Sequence, residues 1–377
     1  IMVLVHAQRA GHHPIALVGG ATGLIGDPSG KKSERPLLTR ADMEANALGI
    51  RRQLEHFLDF ETDRNPARMR NNLDWLGQTH LLDFLRDIGK HFSVNAMLRK
   101  ESVRRRVESE ESGISFTEFS YQLLQAADFL HLFESDGCSV QMGGSDQWGN
   151  ITAGVELVRR VAGGAAHGVV SPLVTTSTGT KFGKTEDGTV WLDPERTSPY
   201  RFYQFWINVP DDDVGRYLRF FTLLDRDEIE ALDAATAAEP HRRAAQKALA
   251  EDVTRRVHGA EGLERAVQAT RALFGGDLEG LSGDEIGDIF SDVPSSSIGS
   301  DELDAGMGLL ALLADTGLCS SRGDARRQVD GGGIYLNSVR IEDSGREIRR
   351  GDFIDGRFLV LRKGKKSYHL VEFAGDA

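Results

Sequence analysis

A short apolar run that ends in two glycines, residues 14–20, restricts the fold more than any other feature of this chain. It comes directly after a helix-like stretch, residues 1–11, that itself ends at a glycine. An apolar run in this position is typical of a buried parallel strand, and glycines at its carboxyl end let the backbone approach a ligand. Strand and helix signals then alternate up to about residue 195. The alternation predicts an α/β domain with a mostly parallel sheet.

The pattern changes twice further along the chain. After residue 198 the strand signals stop and four helix-like stretches follow, which predicts an all-helical domain. Next comes a stretch rich in Gly, Ser, Asp and Pro, which predicts a linker with one short helix, and then two short helices and several short β-like runs. We therefore predict an α/β domain, a helical domain, a linker and a small α+β domain, over residues 1–197, 198–274, 275–307 and 308–377.

Composition and charge exclude several classes of protein. The chain has 377 residues, 40% of them hydrophobic and 27% charged, so it can build sizeable cores. No apolar run is long enough to span a membrane. The two cysteines, Cys138 and Cys319, are too few for a disulfide scaffold or a cysteine-built metal site, and they indicate ordinary thiols in a reducing cytosol. The net charge of −12 argues against a broadly basic surface, although residues 308–377 carry twelve Lys or Arg against ten Asp or Glu.

Four segments carry residues suited to binding or catalysis. The first is a glycine-rich loop after the predicted strand, residues 19–31, which holds Asp27. Its spacing matches neither the phosphate-loop nor the dinucleotide-binding pattern. The second is a predicted helix on which Tyr121, Gln125 and Asp128 share one face, because they are spaced by four and three residues. A phenol, an amide and a carboxylate side by side suit a small polar ligand.

The other two segments suit a nucleotide and its phosphates. Residues 141–150 have the pattern of a strand end, a double glycine and a helix cap, and they place Gly144 and Asp146 where nucleotides bind in open α/β sheets. A later glycine-rich loop holds Lys181 and Lys184, which can close over a polyphosphate. Taken alone, each of the four segments also fits a plain structural role, as a flexible turn, a solvated helix face, a capped helix or a solvated loop.

Together, in order and spacing, these segments resemble the bacterial tyrosyl-tRNA synthetases, a class I aminoacyl-tRNA synthetase family. The resemblance covers essentially the whole chain and rests on G-G-A-T-G-L-I-G-D-P-S-G at 19–30, Y-x-x-x-Q-x-x-D at 121–128, Q-M-G-G-S-D-Q-W-G-N at 141–150 and K-F-G-K-T at 181–185. It implies a Rossmann-like catalytic domain, a helical domain and a small RNA-binding domain. The family's upstream His-x-Gly-His motif and a further tyrosine-contacting segment are not in this sequence, and we expect that a beginning is missing from it.

The resemblance also implies roles for individual residues. Asp128 would accept a hydrogen bond from the phenol of tyrosine. The other tyrosine contacts would be Asp27, Tyr121, Gln125, Gln141 and Gln147. ATP would contact Gly144, Asp146 and Lys184. The catalytic residues that grip the pyrophosphate would be Lys181, Lys184 and Thr185. The candidates for contacts with tRNA in the C-terminal domain are Arg322, Arg326, Arg327, Lys363, Lys365 and Lys366. No metal ligands are expected from the protein itself.

The implied function is that of a tyrosine–tRNA ligase. Such an enzyme activates L-tyrosine with ATP, normally accompanied by Mg²⁺, to tyrosyl-adenylate and pyrophosphate, and then transfers tyrosine to the 3′ end of tRNA(Tyr). The resemblance also implies a homodimer and a cytoplasmic location. Two alternatives stay open: a catalytically inactive relative that binds structured RNA, and the sister tryptophanyl enzyme. The retained polar residues and loop lysines disfavour the first, and Asp128 together with the C-terminal domain disfavours the second.

Overall fold

The computed structural model describes most of the chain. The described residues are 1–25, 39–100, 103–104, 107, 114–179, 182–185, 188–273, 275–291, 293–364 and 367–374. They fall into two compact units, Ile1–Phe182 and Gly183–Ala377. In the part of the chain so described, no helix is both long and apolar enough to cross a membrane.

The first unit combines helices with parallel strands. Its helices are α1 (Met2–Arg9), α2 (Arg40–Glu55), α3 (Leu73–Leu76), α4 (Leu81–Asp87), α5 (Val94–Leu98), α6 (Phe116–Asp136) and α7 (Trp148–Val161). Its strands are β1 (Ile15–Val18), β2 (Arg68–Asn71), β3 (Val140–Gly144) and β4 (His167–Ser171). Strand β1 pairs with β2 and β3 with β4, and both pairs are parallel. The predicted α/β fold with parallel strands is confirmed, although the described strands form two separate pairs and not one continuous sheet.

Helix α6 is the long element that carries the predicted polar face. It begins at a capping box, in which the Ser115 side chain accepts from the Glu118 backbone N–H and the Glu118 carboxylate accepts from the Ser115 N–H. It ends at Gly137, whose φ of 67° is the left-handed conformation that favours glycine. Its apolar side packs against α7 around the buried Phe129 and Leu157. This core fixes the position of α6, and with it the side of the helix on which its polar residues lie.

The second unit is helical in its first part and α+β after that. A short hairpin precedes the helices and consists of β5 (Lys184–Thr185) and β6 (Gly188–Thr189). Its helices are α8 (Pro199–Ile207), α9 (Asp211–Phe221), α10 (Arg226–Ala238), α11 (Ala244–Ala272), α12 (Gly283–Ile289), α13 (Ser300–Asp304), α14 (Leu309–Asp315) and α15 (Arg322–Asp330). Its later strands are β7 (Ser295–Gly299), β8 (Met307–Gly308), β9 (Ile334–Leu336), β10 (Val339–Arg340), β11 (Glu347–Ile348), β12 (Phe358–Lys363) and β13 (Ser367–Ala374). Two of the four predicted helical stretches are joined in α11, which kinks at Gly259, where φ is 76°.

The main sheet of the second unit separates two apolar cores. Its strand order is β10-β9-β12-β13-β7, and β7 is parallel to β13 while the other neighbours are antiparallel. Successive side chains of β12 alternate between the cores. Leu359 and Leu361 pack with α14 and α15, whereas Phe358 and Val360 pack with α12 and the end of α11. The sheet is therefore covered on both faces.

Residues 275–307, for which the composition predicts a linker with one short helix, contain a strand and a second helix as well. Ser282 and Glu285 form a capping box at the start of α12. The Ser-rich run that follows is strand β7, which pairs with the end of β13. The serine and acidic residues that suggest a flexible segment here cap a helix, and the run of serines forms a strand at the edge of the sheet. This part of the chain is thus built into the second unit.

Candidate active site

The face of α6 that is predicted to bind a ligand has a buried carboxylate at one end. Asp128 is only 2% exposed, whereas Tyr121 and Gln125 are partly exposed. The spacing of four and three residues brings all three to the same side of the helix. A buried carboxylate needs hydrogen-bond partners. This end of the face is therefore buried and is not a solvated surface.

Two side chains from the segment after β2 hold the Asp128 carboxylate. Asn72 Nδ2 donates to Oδ2 at 2.9 Å, and Trp75 Nε1 donates to Oδ1 at 2.8 Å. Sequence reasoning identified neither residue. The available signal was their position, since they come directly after a strand whose carboxyl end lies beside that of β1. Each carboxylate oxygen keeps a lone pair for a further hydrogen bond, so a ligand hydroxyl can still donate to Asp128.

The turn after β1 is tied to the same segment. Asn72 Nδ2 also donates to Thr22 Oγ1 at 2.9 Å, and its Oδ1 accepts from the Ala21 N–H at 2.8 Å. The Gly20 N–H donates to Asn71 Oδ1 at 3.2 Å, and a Cβ at this position would collide with the Asn71 side chain. The first part of the glycine-rich loop is therefore an ordered turn, and the close approach requires its second glycine.

Burial changes the acidity of Asp128. Removal of the carboxylate from water raises its pKa to about 6, although the hydrogen bonds from Asn72 and Trp75 act in the opposite direction. Asp128 is therefore ionised at neutral pH and protonated in mildly acidic solution. An ionised carboxylate is a strong acceptor for a hydroxyl group. A perturbed pKa at a carboxylate that is held in this way is also a common mark of a functional site.

Strand β3 and the turn that follows it supply the second group of predicted residues. Gln141 Oε1 is buried and has no hydrogen-bond partner among the described residues, which fits an acceptor that a ligand completes. Gln147 accepts through Oε1 from Asn150 Nδ2 at 3.2 Å. Asp146 is exposed, and the backbone at Gly144 comes so close to its carboxylate that a Cβ there would clash. Gly144, Asp146 and Gln147 therefore lie together at the carboxyl end of β3, where nucleotides bind in open α/β sheets.

Two of the predicted site residues lie outside the described residues: Asp27, predicted to contact tyrosine, and Lys181, predicted to grip the pyrophosphate. Lys184 and Thr185 form β5, the first strand of the short hairpin, and belong to the second unit. Their predicted roles rest on the sequence. Within the described ranges, no group of three or more His, Cys, Asp or Glu side chains is arranged to hold a metal ion.

The predicted RNA-binding residues fall into three sets. Those exposed on α15 are Arg322, Arg326 and Arg327. Those outside the described residues are Lys365 and Lys366. Lys363 is half-buried, and its Nζ donates to the Leu318 carbonyl at 3.1 Å and lies 3.5 Å from the Asp324 carboxylate. The α15 arginines are therefore better placed than Lys363 to contact phosphate groups.

Nearly the whole chain is similar to a known family. Residues 1–275 match the family model described as tRNA synthetases class I (W and Y), and residues 285–371 match that of the tyrosine–tRNA ligase SYY-like C-terminal domain. The chain belongs to the class I tyrosine–tRNA ligases. Its relatives include the tyrosine–tRNA ligase of Roseiflexus castenholzii, 58% identical over 98% of this chain and 88% of that protein. The tyrosine–tRNA ligase of Bacillus caldotenax is 54% identical over 99% of this chain and 88% of that protein.

A solved structure agrees with this assignment of the ligase. The C-terminally truncated mitochondrial tyrosyl-tRNA synthetase of Aspergillus nidulans is similar with a TM-score of 0.64 and 32% identity, over 72% of this chain and 80% of that one. The match to the C-terminal domain model favours the tyrosine enzyme over the tryptophanyl alternative. Nothing in the comparisons supports an inactive relative. The predictions of the family, the fold class and the ligase function are confirmed.

Proposed function

We propose that this ligase recognises tyrosine at the polar face of α6 and activates it with ATP at the end of β3. The observation that carries the proposal is the Asp128 carboxylate, which is buried, held by Asn72 and Trp75, and still able to accept a hydrogen bond. The phenol of tyrosine donates to it. A site built to hydrogen-bond a hydroxyl group rejects an analogue that lacks one, and tyrosine enzymes of this type are the standard example. Phenylalanine is therefore excluded.

Other residues bind the polar end of tyrosine. Its α-amino group is bound by Asp27, Tyr121 and Gln125. Gln147 lies near its carboxylate, and Gln141 lines the same pocket. The buried Gln141 Oε1, unpaired within the described part of the chain, supports this contact. Tyr121 and Asp128 are seven residues apart, about 10 Å along the helix axis, so a single helix can contact both ends of tyrosine.

ATP binds next to the tyrosine carboxylate. Gly144 and Asp146 contact its ribose. Lys181, Lys184 and Thr185 grip the pyrophosphate, and Lys184 also binds ATP before it reacts. The tyrosine carboxylate is ionised at neutral pH, so its attack on the α-phosphorus needs no general base. Catalysis then depends on positioning and on stabilisation of the charge that develops on the phosphorus and the leaving group. Mg²⁺ accompanies the phosphates of ATP.

The second unit binds the tRNA that receives tyrosine. The exposed arginines of α15 contact its phosphates. The further candidates are Lys363, Lys365 and Lys366. These roles correspond to the predicted domains. Residues 1–197 form the catalytic domain, 198–274 the helical domain and 308–377 the RNA-binding domain. The stretch 275–307 connects the last two through α12 and β7.

We also propose that the ligase is a homodimer in the cytoplasm. Helix α4 exposes Leu81 and Leu82 by 71% and 79%, and Phe116 at the start of α6 is 79% exposed. Large apolar side chains this exposed are typical of a surface that a partner covers, and the family resemblance implies a second copy of the chain. Sedimentation should find a dimer that Leu82→Asp weakens. A purified chain that sediments as a monomer at all concentrations would contradict the proposal.

ATP–pyrophosphate exchange tests the proposed reaction. The purified protein is given tyrosine, phenylalanine or tryptophan in parallel, and exchange is expected with tyrosine alone. Exchange with tryptophan would contradict the specificity assigned to Asp128. Absence of exchange with every amino acid would contradict the proposed site itself.

A further inference from the structure

His131 lies one turn beyond Asp128 on α6, and no role proposed above involves it. Its imidazole stacks on the indole of Trp75, with ring centroids 4.2 Å apart and planes 17° from parallel. The same indole donates its N–H to Asp128 Oδ1 at 2.8 Å. One face of α6 therefore contacts Trp75 twice, through its ring and through its N–H.

The strand before Trp75 is held to α6 by charge. Arg70 Nη2 lies 2.6 Å and Arg68 Nη1 lies 3.1 Å from Oδ1 of Asp136, at the end of α6. The hydrogen bond from Arg70 lowers the pKa of Asp136 to about 2, so these ion pairs persist at any working pH. Trp75 lies beyond this strand, on the short helix α3. These ion pairs fix the position of β2 beside α6. They do not contact the Trp75 indole, whose orientation depends on the contacts that the indole itself makes.

We propose that His131 is a positioning residue for tyrosine recognition. By stacking on the indole it holds Trp75 in the orientation in which the N–H points at Asp128. That hydrogen bond in turn keeps the carboxylate directed at the phenol of the substrate. A tilt of the indole would break its parallel stack with the imidazole and turn its N–H away from Asp128. Without the stack, the indole can turn, and Asp128 loses one of its two protein donors. The inference rests on the role proposed for Asp128.

Three substitutions at His131 separate this role from a merely structural one. His131→Phe keeps a planar ring, His131→Gln keeps a polar side chain without a ring, and His131→Ala removes both. We expect the Ala and Gln variants to raise KM for tyrosine about three- to tenfold, the strength of a ring pair, with kcat of exchange within about twofold. The preference for tyrosine over phenylalanine in kcat/KM should fall by the same factor, because phenylalanine makes no bond to Asp128. The Phe variant should retain both values.

Glu134→Ala is the matched control, since Glu134 is exposed on the same helix three residues beyond His131. It should leave KM and the preference for tyrosine unchanged. The inference is overturned if all three His131 variants behave like the unaltered enzyme, or if Gln rescues and Phe does not. It is also overturned if both the Ala and the Phe variants have a higher KM for ATP, a higher KM for tyrosine and a lower melting temperature, because His131 would then have only a structural role.

The Asp128→Ala variant, measured in the same series, distinguishes two kinds of failure. If it discriminates tyrosine from phenylalanine as well as the unaltered enzyme does, the role of Asp128 fails, and the inference about His131 fails with it. If Asp128→Ala is defective while the His131 variants are normal, the inference alone is rejected and the proposed tyrosine site stands.

Discussion

The centre of the proposed site in the first unit and the sheet of the second unit are built from opposite kinds of residue. In the first unit the buried end of the α6 face is polar, and Asp128 is held there by Asn72 and Trp75. In the second unit the sheet lies between two apolar cores, in which Leu313 and Leu361 are fully buried. Burial of apolar surface stabilises a fold directly, whereas a buried carboxylate does so only if its partners offset its loss of water. The first arrangement suits recognition of a ligand, and the second suits a rigid support for a binding surface.

The largest expected effect concerns stability in the second unit. Leu313→Ala should lower the free energy of unfolding by about 3 kcal/mol, because it leaves a cavity in the core between the sheet and α14. Urea denaturation measures this change. KM for tyrosine should be unaffected. A severalfold rise in that KM would show that the apolar core of the second unit also influences tyrosine binding, which contradicts the separation of the two roles.

Removal of the Asp128 carboxylate should have the next largest effect. Asp128→Ala should lower kcat/KM for tyrosine in ATP–pyrophosphate exchange about a hundredfold, the value of a hydrogen bond to a charged acceptor. Asp128→Asn keeps the shape and removes the charge that burial disfavours. It should lose most of the activity, because its amide oxygen can accept from only one of the two donors, Asn72 and Trp75, and carries no charge to attract the phenol. Near-normal kinetics of Asp128→Ala would exclude Asp128 from the pocket.

Substitutions of the α15 arginines should affect only the binding of tRNA. Charge reversal of Arg322, Arg326 and Arg327 to Glu should weaken tRNA binding about tenfold and reduce the salt dependence of binding by two to three counterions, roughly one for each lost phosphate contact. ATP–pyrophosphate exchange should stay unchanged. Arg226→Glu on α10, whose side chain is 86% exposed, is the control. Equal loss of exchange and of tRNA charging would contradict a purely RNA-binding role for α15.

The smallest expected effect is a pH dependence of tyrosine binding. Since the pKa of Asp128 is raised to about 6, its ionised fraction falls to about a quarter at pH 5.5, and KM for tyrosine should rise about fourfold from its value at pH 7.5. Stability should change in the opposite sense. The unfolded carboxyl has an ordinary pKa of 3.8, so between that pH and 6 the folded state binds more protons and loses stability as the pH rises. Asp128→Asn should abolish both trends in kinetic and denaturation profiles.

Local spacing can be predicted from this sequence, and contacts between distant segments cannot. Tyr121, Gln125 and Asp128 form a pattern within one helix, and the structure has them on one side of α6. Asn72 and Trp75 precede Asp128 by 56 and 53 residues, and only tertiary packing brings them to its carboxylate. No periodicity in the segment after β2 marks them, because α3 is only four residues long.

Strand β7 escapes prediction for the same reason. Its sequence of three serines, an isoleucine and a glycine has little tendency to form a strand by itself. It becomes one because Ser295 pairs with Leu370 and the following residues continue that register along β13. The composition of residues 275–307 therefore suggests a linker, whereas the structure there depends on a partner far along the chain.

The pairing of β7 with β13 also sets an order of events during protein synthesis. The ribosome makes residues 295–299 well before residues 367–374, so β7 stays an unpaired edge until β13 has emerged. The cores on the two faces of the sheet can then close only in a late step. A nascent chain that stops short of β13 keeps its first unit but leaves the apolar end of α11 uncovered, which is a mark of an aggregation-prone species. The second unit can therefore complete its fold only after β13 has been synthesised.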